Sequence, residues 1–532
     1  MEDVPKVNRK SDGSILLPVD FPVQPYLLDH RFEGRAVLPA VEAMQTLAEA
    51  VSRFRPDAER SIITHARFEK FLYIDGHAAR VSASVELEEL ENGDITASLQ
   101  TKSTSGKLSI TRVREHAALC FPCAKPDSAV PPADLVSALQ GVCLEIPCER
   151  IYRDLVPFGP SFQNVRGSLL VSREGAIAWT AAPSIPGYMG SSPLGSPFPL
   201  DAAFHAACAW GQRYAGIVAF PVAVEKRIIL RPTVAGSTYL SRIIPVRVGP
   251  DLLVFDIWIY DERGDLVESA CGVSMRDVSA GRMKPPEWVA DSGAEFPPGR
   301  IRESCLEVSV VELRTILPFA DKALSDKERE RFLRLGEPRR RSYLAARIAC
   351  KRAYRALLKN DVSMPASEIT TVCADPTRPC CPVERDHPPL FCSVSHDDRF
   401  AIAVIGENRV GVDVERLSER PLKALHIYMK ESERVLTRQS VLGEKRAALR
   451  VWTLKEAAAK AFDMNLAESW KRVKVVDIGC FESRFQLDGE CTCTAMHEEV
   501  EEHLFTLISA LSAVPAGKSF HGDPGGPPQK DL

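Results

Sequence analysis

Residues 30–39 read His30-Arg-Phe-Glu-Gly34-Arg-Ala-Val-Leu-Pro39 and run directly into PAVEAMQTLAEAVSRF, residues 39–54. Apolar residues in the second stretch recur at helical spacing, and Pro39 suits a first helical turn, where its missing N–H costs nothing. Gly34 lets the backbone approach a ligand closely. The pair of stretches predicts a histidine on a loop delivered to the start of a buried helix. Outward from it, residues 79–90 (ARVSASVELEEL) and 93–103 (GDITASLQTKS) alternate as half-buried strands do. The same pattern occurs again downstream. Residues 200–216 (LDAAFHAACAWGQRYAG) form the second helix, and 222–232 and 251–262 read as its strands. One helix wrapped by an antiparallel sheet, twice over, predicts a tandem α+β fold.

Proline-rich stretches at 121–132 and 279–300 divide the chain. The expected organisation is 14–125 and 133–280 for the two wrapped helices, a linker at 281–302, a third unit at 303–512 that alternates helices with short strands, and a disordered tail at 513–532. With 67 Lys+Arg against 71 Asp+Glu, the formal net charge of -4 argues against non-specific nucleic-acid binding. The first residues lack a signal-peptide core, and no run reaches the ~20 apolar residues of a membrane helix. A cytoplasmic protein without a membrane partner is expected. Fifteen cysteines, an odd number in a chain long enough to build cores, fit reduced thiols.

Two side-chain constellations carry chemistry. His30 lies just before a helix whose first N–H groups suit a developing oxyanion. Asp201 and His205, four apart, share one face of the second helix. A base and an imidazole-held carboxyl that can act as an acid suit removal of a proton alpha to a thioester carbonyl. In the third unit, Gly411-Val-Asp413-Val-Glu415 puts two carboxylates on one side of a strand. Trp452-Thr-Leu-Lys455-Glu456-Ala-Ala-Ala-Lys460 follows as a helix with Glu456 and Lys460 on one face. Three carboxylates with flanking lysines suit Mg2+ bridging a pyrophosphate.

The first set resembles the polyketide-synthase dehydratase, a double hotdog. His30…Gly34…Pro39 is similar to its HxxxGxxxxP motif, and Asp201…His205 to its DxxxQ/H motif. Between them Phe158-Gly-Pro-Ser-Phe162-Gln163 resembles YGPxFQ, with phenylalanine where tyrosine is usual, and Phe220-Pro221-Val222 resembles the following LP segment. The resemblance implies His30 as base, Asp201 as acid, His205 orienting Asp201, and the Gly34 amide binding the thioester oxygen. The second set resembles a 4′-phosphopantetheinyl transferase of the surfactin-synthetase-activating type, a pseudo-twofold α/β domain, through Ser395-His396, residues 411–415 and residues 452–460. It implies Mg2+ ligation by Asp413, Glu415 and Glu456, diphosphate contact by Lys455 and Lys460, and a 3′-phosphate contact by His396 beside Ser395. Glu456 would also help deprotonate the acceptor serine. Arg347 and Lys351 fall where the family has its basic coenzyme A helix, and Arg378-Pro379 where it often has Gly-Lys-Pro.

Together these resemble the C-terminal part of enediyne-type and polyunsaturated-fatty-acid-type iterative synthases. The implied partner is an acyl carrier protein, with coenzyme A as the phosphopantetheine donor. Phe158 leaves open a first half that docks the carrier without chemistry. A hotdog hydratase or thioesterase acting on coenzyme A thioesters also remains open.

Overall fold

The structure, a computed structural model, describes residues 8–9, 14–105, 110–124, 130–185, 193–290, 299–358, 364–372, 390–489, 491–509 and 514–515. The chain forms two compact units. Unit 1 comprises Met1–Pro131, Leu139–Ala294 and Leu317–Ala320; unit 2 comprises Pro132–Ala138, Glu295–Ile316 and Asp321–Leu532.

Unit 1 is built on a thirteen-stranded antiparallel sheet. Its two halves join where Ile62–Arg67 pairs with Phe220–Ile229, in a register that sets Ile228 opposite Ile62. Helix α1 (Ala40–Phe54) is amphipathic: Val41, Met44, Leu47, Ala48 and Val51 are all fully buried. Helix α2 (Phe198–Tyr214) is buried on every side from Phe198 to Gln212, as a helix enclosed by a sheet must be. Its alanines and Gly211 let the sheet close on it; a Cβ at Gly211 would lie 2.7 Å from Leu253 Cδ1. Two helices in one sheet, strands and helices segregated, make the α+β double hotdog expected.

Unit 2 holds two antiparallel sheets. One has three strands, with Phe400–Gly406 between Glu307–Glu312 and Phe391–His396. The other has six, and its edge strand Val410–Arg416 pairs with His503–Ser509. Each sheet carries one long helix, α3 (Glu337–Leu357) on the first and α5 (Glu444–Ala461) on the second, with the shorter α4 (Glu431–Gln439) preceding α5.

Three boundaries differ from expectation. Residues 133–138, expected in the second hotdog, belong to unit 2. The Arg352 guanidinium on α3 donates to the carbonyls of Asp134, Leu135 and Ala138 at 3.0, 3.0 and 2.9 Å, and Arg355 Nε donates to Asp134 Oδ2 at 3.0 Å. The expected linker at 281–302 is folded over its first part. Val289 is fully buried, its carbonyl accepts from Arg213, and Arg150 stacks 3.5 Å above the Trp288 ring. Of the expected tail, Val514–Pro515 pairs with Cys491–Val500; the rest lies outside the described residues.

Candidate functional sites

The motif at 30–39 folds as a miniature hairpin. Arg31–Phe32 pairs with Arg35–Ala36, and Glu33 and Gly34 make the turn with φ of 47° and 80°. Two consecutive residues at positive φ are what a tight hairpin turn demands, and glycine takes its share without a Cβ penalty. His30 closes the base of this hairpin. Its Nδ1 lies 3.2 Å from the Val37 carbonyl, so the Nδ1–H tautomer donates there and Nε2 keeps its lone pair. Phe158 stacks on the imidazole at 4.3 Å between ring centres, and Phe162 meets it edge-on at 5.1 Å. These apolar rings strip water from the imidazolium and lower its pKa to about 4, against the opposing pull of the Asp201 charge.

His30, Asp201, His205 and Phe158 line one mostly apolar cavity. Asp201 and His205 come from the first turns of α2, with Oδ2 and Nε2 3.0 Å apart and both side chains buried. Those two atoms are not aligned as a hydrogen bond and have no other partner, so each retains capacity for a third group. His205 Nδ1 faces the Tyr152 hydroxyl at 3.4 Å, and that hydroxyl accepts the Val165 N–H at 2.8 Å. Tyr152 sits on a π-helical turn, Ile151–Leu155. No spacing rule in the sequence singles it out. Glu42 on α1 was likewise not legible: burial pushes its carboxyl up to about 7, and the Tyr26 hydroxyl donates to it at 3.1 Å.

Gly34 occupies the hairpin tip, while His30, Leu38 and Ala40 from the same motif line the cavity. The glycine is required by its positive φ.

In unit 2, Asp413, Glu415 and Glu456 each offer a carboxylate oxygen within 4.8 Å of the others. Gly411 makes this possible. A Cβ there would lie 2.0 Å from the Ala457 carbonyl, so only glycine lets the strand lie against α5. Asp413 Oδ1 accepts from Ser395 Oγ at 2.7 Å and from Lys460 Nζ at 3.0 Å, while the buried Oδ2 has no hydrogen-bond partner. Burial and mutual repulsion push Glu415 and Glu456 up to about 7. An orphaned carboxylate oxygen facing two crowded carboxyls fits a hard divalent cation. Arg420 stacks on Trp452 at 5.7 Å, and its charge pulls against both raised carboxyls. Sequence spacing did not single it out.

The other expected coenzyme A contacts fare differently. Lys455 is fully buried and faces away from the carboxylates, its Nζ bound to the Tyr428 carbonyl at 2.7 Å and Glu433 Oε2 at 2.8 Å. Lys351 is fully buried too, saturated by the carbonyls of Ala323, Ala366 and Ile369 and by Glu328. Both are structural, because each neutralises a carboxylate that burial would otherwise strand. Arg347 is buried as well; its Nη1 donates to Thr371 while its Nε has no hydrogen-bond partner. His396 is exposed beside Ser395. Arg378 lies outside the described residues.

Lys455→Met is expected to destabilise unit 2 by about 3–5 kcal/mol, since Glu433 is left buried and unpaired. Removing both charges, as Lys455→Met with Glu433→Leu, should recover most of that loss in chemical denaturation. Stability unchanged in the single variant, with a raised KM for coenzyme A, would return Lys455 to the substrate.

Residues 409–507 match the 4′-phosphopantetheinyl transferase superfamily, and residues 132–285 match the polyketide synthase dehydratase N-terminal domain. The chain is 27% identical over 199 residues to enterobactin synthase component D of Salmonella austin, covering 36% of this chain and 80% of that protein. It is 23% identical over 135 residues to the 4′-phosphopantetheinyl transferase gsp of Aneurinibacillus migulanus, covering 22% and 57%. Among solved structures, the dehydratase domain of a mycocerosic acid synthase-like polyketide synthase is 19% identical, covering 51% of this chain and 93% of that one with a TM-score of 0.39. The dehydratase domain from the CurF module of curacin polyketide synthase is 17% identical over 51% and 97%, at a TM-score of 0.42. This one chain thus carries a stretch that matches a polyketide synthase dehydratase family model and a second that matches the 4′-phosphopantetheinyl transferase superfamily model.

Proposed function

We propose that the chain is a bifunctional enzyme that prepares an acyl carrier protein and then works on its cargo. The observation that supports this reading is the convergence of His30, Asp201 and His205 in one mostly apolar cavity, and of three carboxylates with Lys460 at their edge.

In unit 1, neutral His30 takes the proton from carbon 2 of a 3-hydroxyacyl thioester through Nε2. Asp201, steadied by His205 and through it by Tyr152, delivers a proton to the 3-hydroxyl, which leaves as water as the double bond forms. The thioester oxygen is received by the Gly34 amide, close in sequence to the start of α1, whose positive end favours the developing charge. Phe158 contributes a dry wall and no hydroxyl, so the chemistry rests on the other four side chains.

In unit 2, Asp413, Glu415 and Glu456 would hold Mg2+, which would supply charge neutralisation for the diphosphate of coenzyme A. Lys460 would meet the leaving phosphate, and Glu456 would take the proton of the attacking carrier serine. His396 and Arg347 contribute contacts to the donor nucleotide. None of the helices among the described residues is long and apolar enough to cross a membrane. A cytoplasmic location is part of the proposal, because coenzyme A is supplied there.

Intact-mass measurement tests both activities together. Wild type with coenzyme A, Mg2+ and an apo-carrier should add one phosphopantetheinyl group, and the 3-hydroxyacyl carrier should then lose one water. A carrier that is loaded but never dehydrated would favour a silent docking role for unit 1.

A further inference from the structure

We propose that Cys350 and Cys392 form a reversible disulfide in unit 2, made by exchange with a small-molecule disulfide of the oxidised-glutathione class. The inference stands apart from both proposed activities, since neither uses a thiol of this chain.

The two cysteines come from different elements that pack on each other. Cys350 lies on α3, and Cys392 lies on the strand Phe391–His396, opposite Ile405 of the neighbouring strand. Cys392 packs with Ala353 and Tyr354 of α3 in one apolar cluster. A hydrogen bond joins the Cys350 and Cys392 side chains. A contact of that kind sets sulfur beside sulfur, the arrangement from which an S–S bond of ~2 Å closes. Both are free thiols, Cys350 buried and Cys392 half-buried. Cys392 is therefore the one that a molecule from solution reaches first.

The surroundings favour the reactive form. Burial pushes the thiols of Cys120, Cys208, Cys271, Cys305 and Cys493 up. Cys350 is as buried as Cys208 yet goes the other way. The Cys392 thiol donates to its sulfur and the Arg347 charge lies nearby, and together they hold it below the ordinary thiol value. Arg347 stands one turn earlier on α3, its charge acts on both cysteines, and its buried Nε has no hydrogen-bond partner. The thiolate is the nucleophile in exchange. In the first step the Cys392 sulfur, its proton drawn toward Cys350, attacks one sulfur of the incoming disulfide and expels a thiolate. In the second, the Cys350 thiolate attacks the Cys392 sulfur of that mixed disulfide and expels the other. The protons of the two starting thiols end on the two departing thiolates. The cysteine pair loses two electrons and the small disulfide gains them.

The test incubates the full chain with oxidised glutathione in the absence of denaturant, then alkylates free thiols and digests with trypsin. Residues 348–351 (IACK) and 386–399 (DHPPLFCSVSHDDR) each hold a single cysteine, so a link between them names the pair. In wild type these two peptides should be recovered joined, about 2 Da lighter than the reduced peptides together, and dithiothreitol should separate them. In Cys350→Ser, Cys392 should stop at the mixed disulfide with glutathione, because the thiol that resolves it is gone. In Cys392→Ser, Cys350 should take up no glutathione, because its sulfur is buried. The wild-type digest decides the matter even where a variant fails to fold. Recovery of both wild-type peptides singly, as alkylated thiols, overturns the proposal. So does a link that forms only in denaturant, or a Cys392 joined mainly to some other cysteine of the chain.

Discussion

Asp413→Asn is expected to reduce phosphopantetheine transfer by about 10³-fold, the equivalent of roughly 4 kcal/mol of lost transition-state stabilisation. The substitution keeps the size of the side chain and still accepts the Ser395 hydroxyl and the Lys460 ammonium at the oxygen corresponding to Oδ1. What it removes is the charge facing Glu415 and Glu456. In the metal-free protein that charge is a burden, since Asp413 helps to push both neighbouring carboxyls up to about 7. Metal-free Asp413→Asn should therefore melt no lower than metal-free wild type. Added Mg2+ should raise the melting temperature of wild type and leave the variant unmoved, because a ligand stabilises only the state that binds it. Undiminished transfer in a folded Asp413→Asn protein would remove the metal assignment. A lower melting temperature without metal would point instead to a purely structural carboxylate.

His30→Ala should cut dehydration by about 10²–10⁴-fold, the range for losing a positioned general base, while transfer by the same chain stays at the wild-type rate. The pH dependence separates this role from simple packing. With its pKa lowered to about 4 by desolvation, His30 is neutral throughout the range from 8 to 5, so kcat/KM should stay flat there and fall only as pH approaches about 4. A histidine at its ordinary value would lose about tenfold by one pH unit below 6.5. The same shift affects stability. The unfolded chain protonates this imidazole below about 6.5 and the folded one does not until about 4. Its contribution is therefore fully present above 6.5 and is lost progressively as pH falls through the folded value. An acid limb centred near 6.5 would mean that the Phe158 and Phe162 rings do not exclude water from the imidazole.

Much of both sites was legible because the relevant geometry is local. A strand puts Asp413 and Glu415 on one side, and a helix puts Asp201 with His205 and Glu456 with Lys460, whatever surrounds them. Lys455 shows where that logic stops. It is adjacent to Glu456 in sequence but about 100° away around the helix, and the neighbour on that side is Glu433, 22 residues earlier in the chain. Similarly, Gly34 and Pro39 are legible as turn and helix start, but only the paired strands around the turn place Gly34 at a hairpin tip.

The sequence alone determined that two helices would be enclosed by antiparallel sheet, that a separate helix-and-strand unit would follow, and that Asp201 with His205 and Asp413 with Glu415 would share a face. Those properties rest on periodicity and side-chain chemistry. The tertiary structure alone decided that Tyr152 reaches His205, that residues 132–138 join unit 2 through Arg352 and Arg355, that Lys351 and Lys455 are internal counter-ions, and how far the cavity extends. Each of these depends on which face meets which distant neighbour. Long-range packing settles that, because a buried charge or carbonyl takes its partner from whatever element the fold brings within about 3 Å.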